Sequence, residues 1–245
     1  GVMSNINHLA GNKNLVLIKQ SATSPLSIDE HVDFALHLAS RPSPEDFVEN
    51  PIECLLADSQ GLMNVLHVAR KNDATVLYTS SSEAYGDPDV VPTSESYEGK
   101  VDPVGPRSSY EEAKRFGEAL AIAHFRKYGV DTRIVRIFNT YGPRLRADGL
   151  YGRVVSRFVT QALSGQDLTV YGDGRQTRSF CYISDTVEAI LKTLLADRAK
   201  GEVINIGSIE EVTIMNLAQI VKEESGVTCN LEFMPLPKGD PKRRC

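Results

Sequence analysis

Residues 74–138 read ATVLYTSSSEAYGDPDVVPTSESYEGKVDPVGPRSSYEEAKRFGEALAIAHFRKYGVDTRIVRIF. The stretch opens on an apolar run of strand type, 74–79 (ATVLYT). Residues 87–107 are rich in Pro and Gly and read as a long loop. Residues 108–128 then carry apolar positions at helical spacing, and Gly129 stands where a helix ends. Residues 132–138 (TRIVRIF) form a second apolar run. Strand, helix and strand in this order predict a parallel sheet covered on both faces. Working outward, residues 14–18 (NLVLI) and 32–38 (VDFALHL) read as two earlier strands. Pro42 and Pro44 mark a loop, and Pro51 suits the first turn of a helix running through Leu55, Leu62, Leu66 and Ala69. In such sheets chemistry collects at the carboxyl ends of strands. Ala39-Ser40, Ser80 to Glu83 and Asn139 to Arg144 all hold that position.

From Gly149 the pattern changes. A helix is expected over 154–163, a strand over 168–171 and a turn at Gly172-Asp173-Gly174. A helix over 184–195, a strand over 203–206 and a helix over 213–224 follow. This half reads as a smaller, substrate-facing lobe.

The chain has 245 residues, 41% hydrophobic and 24% charged, which suits one sizeable domain or a domain with a small lobe. Its net charge is −5, and no basic block points to nucleic acid. An anionic ligand must therefore be met by a few placed arginines. Cys54, Cys181, Cys229 and Cys245 are far apart and read as thiols in a reducing compartment. The histidines are scattered, with His31 and His37 read as structural, and no metal site is visible. No run reaches the length of a membrane span and no signal peptide opens the chain, so a cytoplasmic location is expected. Both ends read as cut, and a membrane anchor on a segment before Gly1 stays open.

Tyr110 and Lys114 are four apart on the long helix and share a face. Alone, such a pair reads more readily as a surface tyrosine with a solvated lysine. The hydroxyl-rich turn Thr79-Ser80-Ser81-Ser82-Glu83 adds to it, because the helix returns Tyr110 to the same rim. A nearby ammonium favours the phenolate, and a serine hydroxyl can hold a substrate hydroxyl. Ser81, Tyr110 and Lys114 thus suit removal of a proton from a carbinol while hydride leaves its carbon.

TSSSEAYGD (79–87) resembles the active-site strand end of the extended short-chain dehydrogenases/reductases. GKVDPVGPRSSYEEAKR (99–115), RIFNTYGPR (136–144), GRVVSRF (152–158) and QTRSFCYISD (176–185) resemble the nucleotide-sugar epimerase/dehydratase group, and the UDP-glucuronate decarboxylases within it. The likeness covers nearly the whole chain. It implies an α/β Rossmann-type doubly wound parallel sheet with a smaller C-terminal lobe. Residues 1–148 would form an N-terminally incomplete NAD-binding domain, and 149–245 mainly a nucleotide-sugar-binding lobe, incomplete at its C-terminus. It implies catalytic roles for Ser81, Glu83, Tyr110 and Lys114. Leu38, Ala39, Ser40 and Ser80, with Tyr110 and Lys114, would hold NAD. Ser82, Asn139, Arg144, Arg153, Val154, Tyr171, Arg178 and Arg244 would hold a UDP-sugar, its charged groups suiting arginine forks. It also implies a homodimer paired through two helices per subunit, one of them the Tyr110–Lys114 helix, whose other face offers Phe116, Leu120 and Ala123.

The resemblance further implies a reaction. Tyr110 takes the C4 hydroxyl proton while NAD takes the C4 hydride; the 4-ketone, β to the C6 carboxylate, loses carbon dioxide; C5 is protonated and C4 is reduced again. The related 4,6-dehydratases carry Asp-Glu where this chain has Ser82-Glu83, because a leaving hydroxyl needs an acid. Dehydration, 4-epimerisation and a non-catalytic sugar-nucleotide-binding role are the alternatives. Three departures stand against the pattern. No glycine-rich dinucleotide fingerprint follows a strand in these residues. Ser21 occupies a usual Asp position. Leu56-Ala57-Asp58 replaces a usual Lys-Thr-Asn before Gly61, which reads as the loss of a substrate or cofactor contact.

Overall fold

The computed structural model describes residues 3–146, 153–236 and 243–245, the last stretch without the side chain of Arg244. Its elements in chain order are β1 (Phe34–His37), α1 (Pro44–Glu49), α2 (Pro51–Asp58), α3 (Gln60–Asn72), β2 (Thr75–Ser81), a 3-10 turn (Ser82–Tyr85), α4 (Ser108–Tyr128), β3 (Thr132–Ile137) and β4 (Thr140–Tyr141). There follow α5 (Val154–Leu163), β5 (Leu168–Tyr171), β6 (Thr177–Ser179), β7 (Cys181–Tyr182), α6 (Ile183–Leu195), β8 (Val203–Ile206), β9 (Glu211–Thr213), α7 (Ile214–Ser225), β10 (Leu231–Met234) and β11 (Arg243–Arg244).

The main sheet has the order β1-β2-β3-β8, with every pair parallel. Leu62, Leu66 and Ala69 of α3 and Ala121 of α4 pack on one face, against Val76, Tyr78 and Ile134. Leu194 of α6 packs on the other, against Leu77, Val135 and Ile206. This is the Rossmann-like α/β layering expected from the strand and helix pattern. Arg133 is buried within β3, and its guanidinium donates to the carbonyls of Thr193, Leu194 and Ala196. It thereby satisfies the open C-terminus of α6 and fixes that helix to the sheet.

Several elements differ from the sequence reading. Residues 14–18 form no strand, and Val16 is 81% exposed. An apolar run becomes a strand only where a ladder satisfies its backbone, and none meets it among the described residues. The helix expected from Pro51 onward is two helices, broken at Ser59, whose hydroxyl bonds back to the Leu55 carbonyl at 2.7 Å. Helix α6 and strand β8, read as part of the smaller lobe, return to the main sheet, so a boundary at 148/149 is crossed. A second apolar cluster joins Phe158 of α5, Leu168 and Val170 of β5, and Leu217, Ala218 and Val221 of α7. Short strands unread in the sequence surround it, including β10, which pairs parallel with β5. Among the described residues no helix is long and apolar enough to cross a membrane.

Helix α4 approaches β2 closely because Gly117 has no side chain. A Cβ there would lie 2.2 Å from Tyr78 Oη and 2.4 Å from its ring. Gly117→Ala gains about 1 kcal/mol of helix propensity, but forces a fully buried tyrosine aside. The overpacking cost is about 1–3 kcal/mol. The expected outcome is a lower urea midpoint than wild type with an unchanged m-value.

Candidate active site

The carboxyl end of β2, the 3-10 turn after it, and the first half of α4 meet above α2. One turn apart on α4, Tyr110 and Lys114 are both buried. Lys114 Nζ donates to Asp58 Oδ1 at 2.8 Å and to the Thr79 carbonyl at 2.7 Å. Asp58, at the end of α2, is fully buried. Its carboxylate also accepts from Tyr78 Oη at 3.1 Å and from Ser40 Oγ at 2.7 Å. Burial pulls the Lys114 ammonium below its ordinary value, and the Asp58 carboxylate opposes that shift.

Burial also pushes the Tyr110 phenol well above its ordinary value. A hydrogen bond with Ser81 opposes the shift, the Glu83 and Asp58 carboxylates add to it, and the Arg153 charge opposes it. The phenol ring stacks on Phe47 with centroids 4.9 Å apart, and Cys54 packs against both. Burial raises the Cys54 thiol to about 11. His37, at the end of β1, is buried beside Asp58; its Nε2 bonds the Ala57 carbonyl at 3.0 Å, while its Nδ1 has no partner. Desolvation lowers its pKa, so the ring is neutral near pH 7.

Ser81 Oγ accepts the Glu83 N–H at 3.2 Å, which starts the 3-10 turn. Ser82 is buried at the first position of that turn. Glu83 is already engaged: Arg107 reaches its Oε2 at 2.5 Å and Glu111 Oε1 at 3.1 Å. Burial would lower the Arg107 guanidinium, but these two carboxylates hold it above its ordinary value. Ser80 Oγ donates to Glu118 Oε1 at 2.5 Å, and Arg136 bonds the same carboxylate.

The structure therefore brings together Ser81, Tyr110 and Lys114, with Ser40, Ser82 and Glu83 around them. Leu38 and Ala39 lie exposed past the end of β1. Ser80 is held by Glu118. Asn139 Nδ2 bonds the Ser179 carbonyl at 3.2 Å, joining the end of β3 to β6. Arg153, just before α5, donates to the Pro42 carbonyl in the loop after β1. Val154 packs on the second apolar cluster. Tyr171 lies beneath the Arg157 guanidinium, 4.7 Å from its carbon. Arg178 is buried on β6 and donates to the Thr177 carbonyl. Arg144 bonds the Asn5 carbonyl at 3.2 Å and lines a groove along α6 with Ile183, Val187 and Leu191. The backbone of Arg244 pairs with Arg178, and its side chain lies outside the described residues.

The sequence reading did not foresee one role here: Asp58, at the departure read as losing a substrate or cofactor contact, is the counter-ion of Lys114. Arg107 and Phe47 were also missed. Nothing periodic marks them, although Arg107 is four residues before Glu111, a spacing that suits an ion pair on a helix.

A family model described as the NAD dependent epimerase/dehydratase family matches residues 7–207. The chain belongs to this family. A relative from Danio rerio, "UDP-glucuronic acid decarboxylase 1", is 41% identical over 244 residues, covering 100% of this chain and 57% of the relative. The chain thus spans little more than half that protein's length. Among solved structures, a UDP-N-acetylglucosamine 4-epimerase from Methanobrevibacter ruminantium, in complex with UDP-N-acetylmuramic acid, superposes with a TM-score of 0.89. It is 26% identical and covers 99% of this chain and 77% of its own. A UDP-glucuronic acid 4-epimerase from Bacillus cereus, in complex with UDP-glucuronic acid and NAD, gives 0.76 at 27% identity, covering 86% and 65%. The two solved structures share the fold of this chain.

The Arg107 fork is a structural requirement of this site. Arg107→Met removes a guanidinium that joins Glu83 and Glu111, both nearly buried. Breaking a buried pair from one side costs about 3 kcal/mol. Chemical denaturation at neutral pH is expected to show a loss of that order.

Proposed function

We propose that this chain carries the catalytic site of an enzyme that decarboxylates UDP-glucuronate to UDP-xylose through a 4-keto intermediate. The observation that carries the reading is the cluster of half-buried Ser81 with buried Tyr110 and Lys114, beside Ser82. That cluster offers a proton acceptor for a carbinol. Beside it stands a hydroxyl, and the neighbouring Glu83 carboxylate is bound to Arg107. A leaving hydroxyl needs a proton donor, and serine is too weak an acid near neutral pH to serve. Loss of carbon dioxide from a β-keto acid needs none. The relative named a UDP-glucuronic acid decarboxylase supports this reaction over 4-epimerisation, which equally requires no acid.

NAD fits the nicotinamide-ribose end of this site. An ammonium has three donors, and Lys114 uses two of them on Asp58 and Thr79. The third suits a ribose hydroxyl, with Ser40 and the chain after β1 beside it. Bound there, NAD would supply oxidation at C4 and its later reversal. Ser80 is left out of the proposed cofactor contacts because Glu118 holds its hydroxyl.

The chain's own part in the mechanism is proton handling and orientation. Ser81 holds the C4 hydroxyl, and Tyr110 Oη accepts its proton. With C4 a ketone, the C5–C6 bond breaks and its electron pair passes into the enolate as carbon dioxide leaves. C5 then takes a proton. Tyr110 returns the proton to the C4 oxygen when the alcohol is restored. Asn139, Arg153, Val154, Tyr171, Arg178 and Arg244 are proposed to line the sugar nucleotide. Arg144 is left out because Asn5 engages it. The dinucleotide would lie on the main sheet, including α6 and β8, and the sugar nucleotide against the second apolar cluster. The four cysteines are free and buried, which suits the proposed cytoplasmic location.

A homodimer is part of the proposal. Ile52 on α2 and Phe116 on α4 are 60% and 53% exposed, on adjacent helices. A second copy covering that face would bury both. Sedimentation of the full-length protein at micromolar concentration is expected to show a dimer.

Full-length protein incubated with UDP-glucuronate should yield UDP-xylose by mass spectrometry. Tyr110→Phe should lower turnover about 10²–10⁴-fold while UDP affinity is retained. Conversion of UDP-glucose to a 4-keto-6-deoxy product, with UDP-glucuronate untouched, would overturn the assignment.

A further inference from the structure

We propose that Asp58 is a positioning residue for the Tyr110–Lys114 pair, and that its buried charge sets the pH range in which Tyr110 acts. The inference rests on the proposed role of Tyr110 as proton acceptor.

The geometry comes first. Asp58 and Lys114 form an ion pair with side chains 0% and 3% exposed. Tyr78 and Ser40 occupy further acceptor sites on Asp58, so the carboxylate cannot turn away from Lys114. The ammonium is thereby drawn toward α2 and the Thr79 carbonyl, while its Nζ stays 5.6 Å from the Tyr110 ring centroid. Lys114 therefore acts on Tyr110 as one half of a neutralised pair.

The charge balance follows. With Tyr110 protonated, Asp58, Lys114 and Tyr110 sum to zero. Ionising Tyr110 leaves one net negative charge among buried groups, which is costly in a low dielectric. With asparagine at residue 58 the same three groups sum to plus one. Ionising Tyr110 then cancels a buried charge.

Other charged groups act on Tyr110 as well, the Glu83 carboxylate in the same direction as Asp58 and ahead of it. Glu83 and Glu111 share Arg107, and Glu118 is bound by Arg136. Arg153 reaches toward Tyr110 from α5 and favours its ionisation. His37, from β1, is neutral, and the Cys54 thiol and Tyr78 phenol are both raised by burial. Asp58 is the carboxylate whose counter-ion is the catalytic lysine itself.

The test reads ionisation directly. Full-length protein is labelled with carbon-13 at the tyrosine Cζ, and the Tyr110 resonance is identified by its loss in Tyr110→Phe. In Asp58→Asn the Tyr110 midpoint is expected roughly 1 pH unit or more below wild type, the size of effect one nearby charge produces. The acid limb of the turnover–pH profile should move the same way. A midpoint equal to or above wild type overturns the proposal. A lowered melting temperature with an unmoved midpoint also overturns it, because that is the signature of a purely structural residue. Should Asp58→Asn not fold, wild type alone decides: Tyr110 must titrate above the free tyrosine value of about 10, and a lower midpoint sinks the idea. The outcomes separate from those of the proposed reaction. A shifted midpoint without turnover of UDP-glucuronate leaves Asp58 assigned and the substrate wrong, and an unshifted midpoint with normal turnover does the reverse.

Discussion

The buried contact between Lys114 and Asp58 joins four parts of the chain at one point. Lys114 comes from α4, Asp58 from the end of α2, Thr79 from β2, and Ser40 from the segment after β1. Two charges out of water are costly, and such a pair persists only when its remaining hydrogen-bonding capacity is met. Here Tyr78 and Ser40 meet the capacity of the carboxylate, and a backbone carbonyl meets one donor of the ammonium. Tyr78 can reach Asp58 only because Gly117 yields space beneath α4. Lys114 is thus placed by a constraint that begins with a missing side chain on its own helix.

A second polar layer continues along the same helix. Tyr110, Lys114 and Glu118 are successive turns of one face, and that face points inward. Glu118 accepts from Ser80 and binds Arg136 of β3. Arg136 lies over the Tyr85 ring at 4.5 Å, and Tyr85 Oη donates to Asn205 of β8 at 2.8 Å. The chain of contacts crosses from α4 through β2 and β3 to β8. Low dielectric strengthens each satisfied bond and penalises each missing one. This layer explains why α4 buries charged residues on the side that a helical pattern would otherwise fill with apolar ones.

These two layers also show which features a single sequence discloses. Helix α4 matched its reading at both ends, because helical spacing and Gly129 in the left-handed conformation are local signals. Ser81, Tyr110 and Lys114 were legible for a related reason: strand end, turn and helical spacing bring them to one rim. Asp58 was not. It lies 56 residues from Lys114, and a tertiary ion pair leaves no periodic trace. Its identity departs from the family pattern, and such a departure carries no sign of what compensates for it. The run at 14–18 failed in the opposite way, as apolar composition with no ladder to join. Strand β8 was found, but its sheet was not, because parallel pairing is decided by a crossover and not by the strand's own residues.

The ion pairs narrow what the site can do. Glu83 and Glu111 are committed to Arg107, Glu118 to Arg136, and Asp58 to Lys114. What remains beside the end of β2 is a set of hydroxyls: Ser81, Ser82 and the phenol of Tyr110. Hydroxyls can hold an alcohol and exchange its proton, but they serve poorly as strong acids near neutral pH. Arg153, just before α5, brings a cation from the other half. Its guanidinium bonds the loop after β1, and its charge acts on Tyr110. An anionic group drawn to Arg153 would therefore carry its charge toward Tyr110. It would also weaken the influence that favours Tyr110 ionisation. The Arg153 charge and the Asp58 carboxylate thus act on the same phenol in opposite directions.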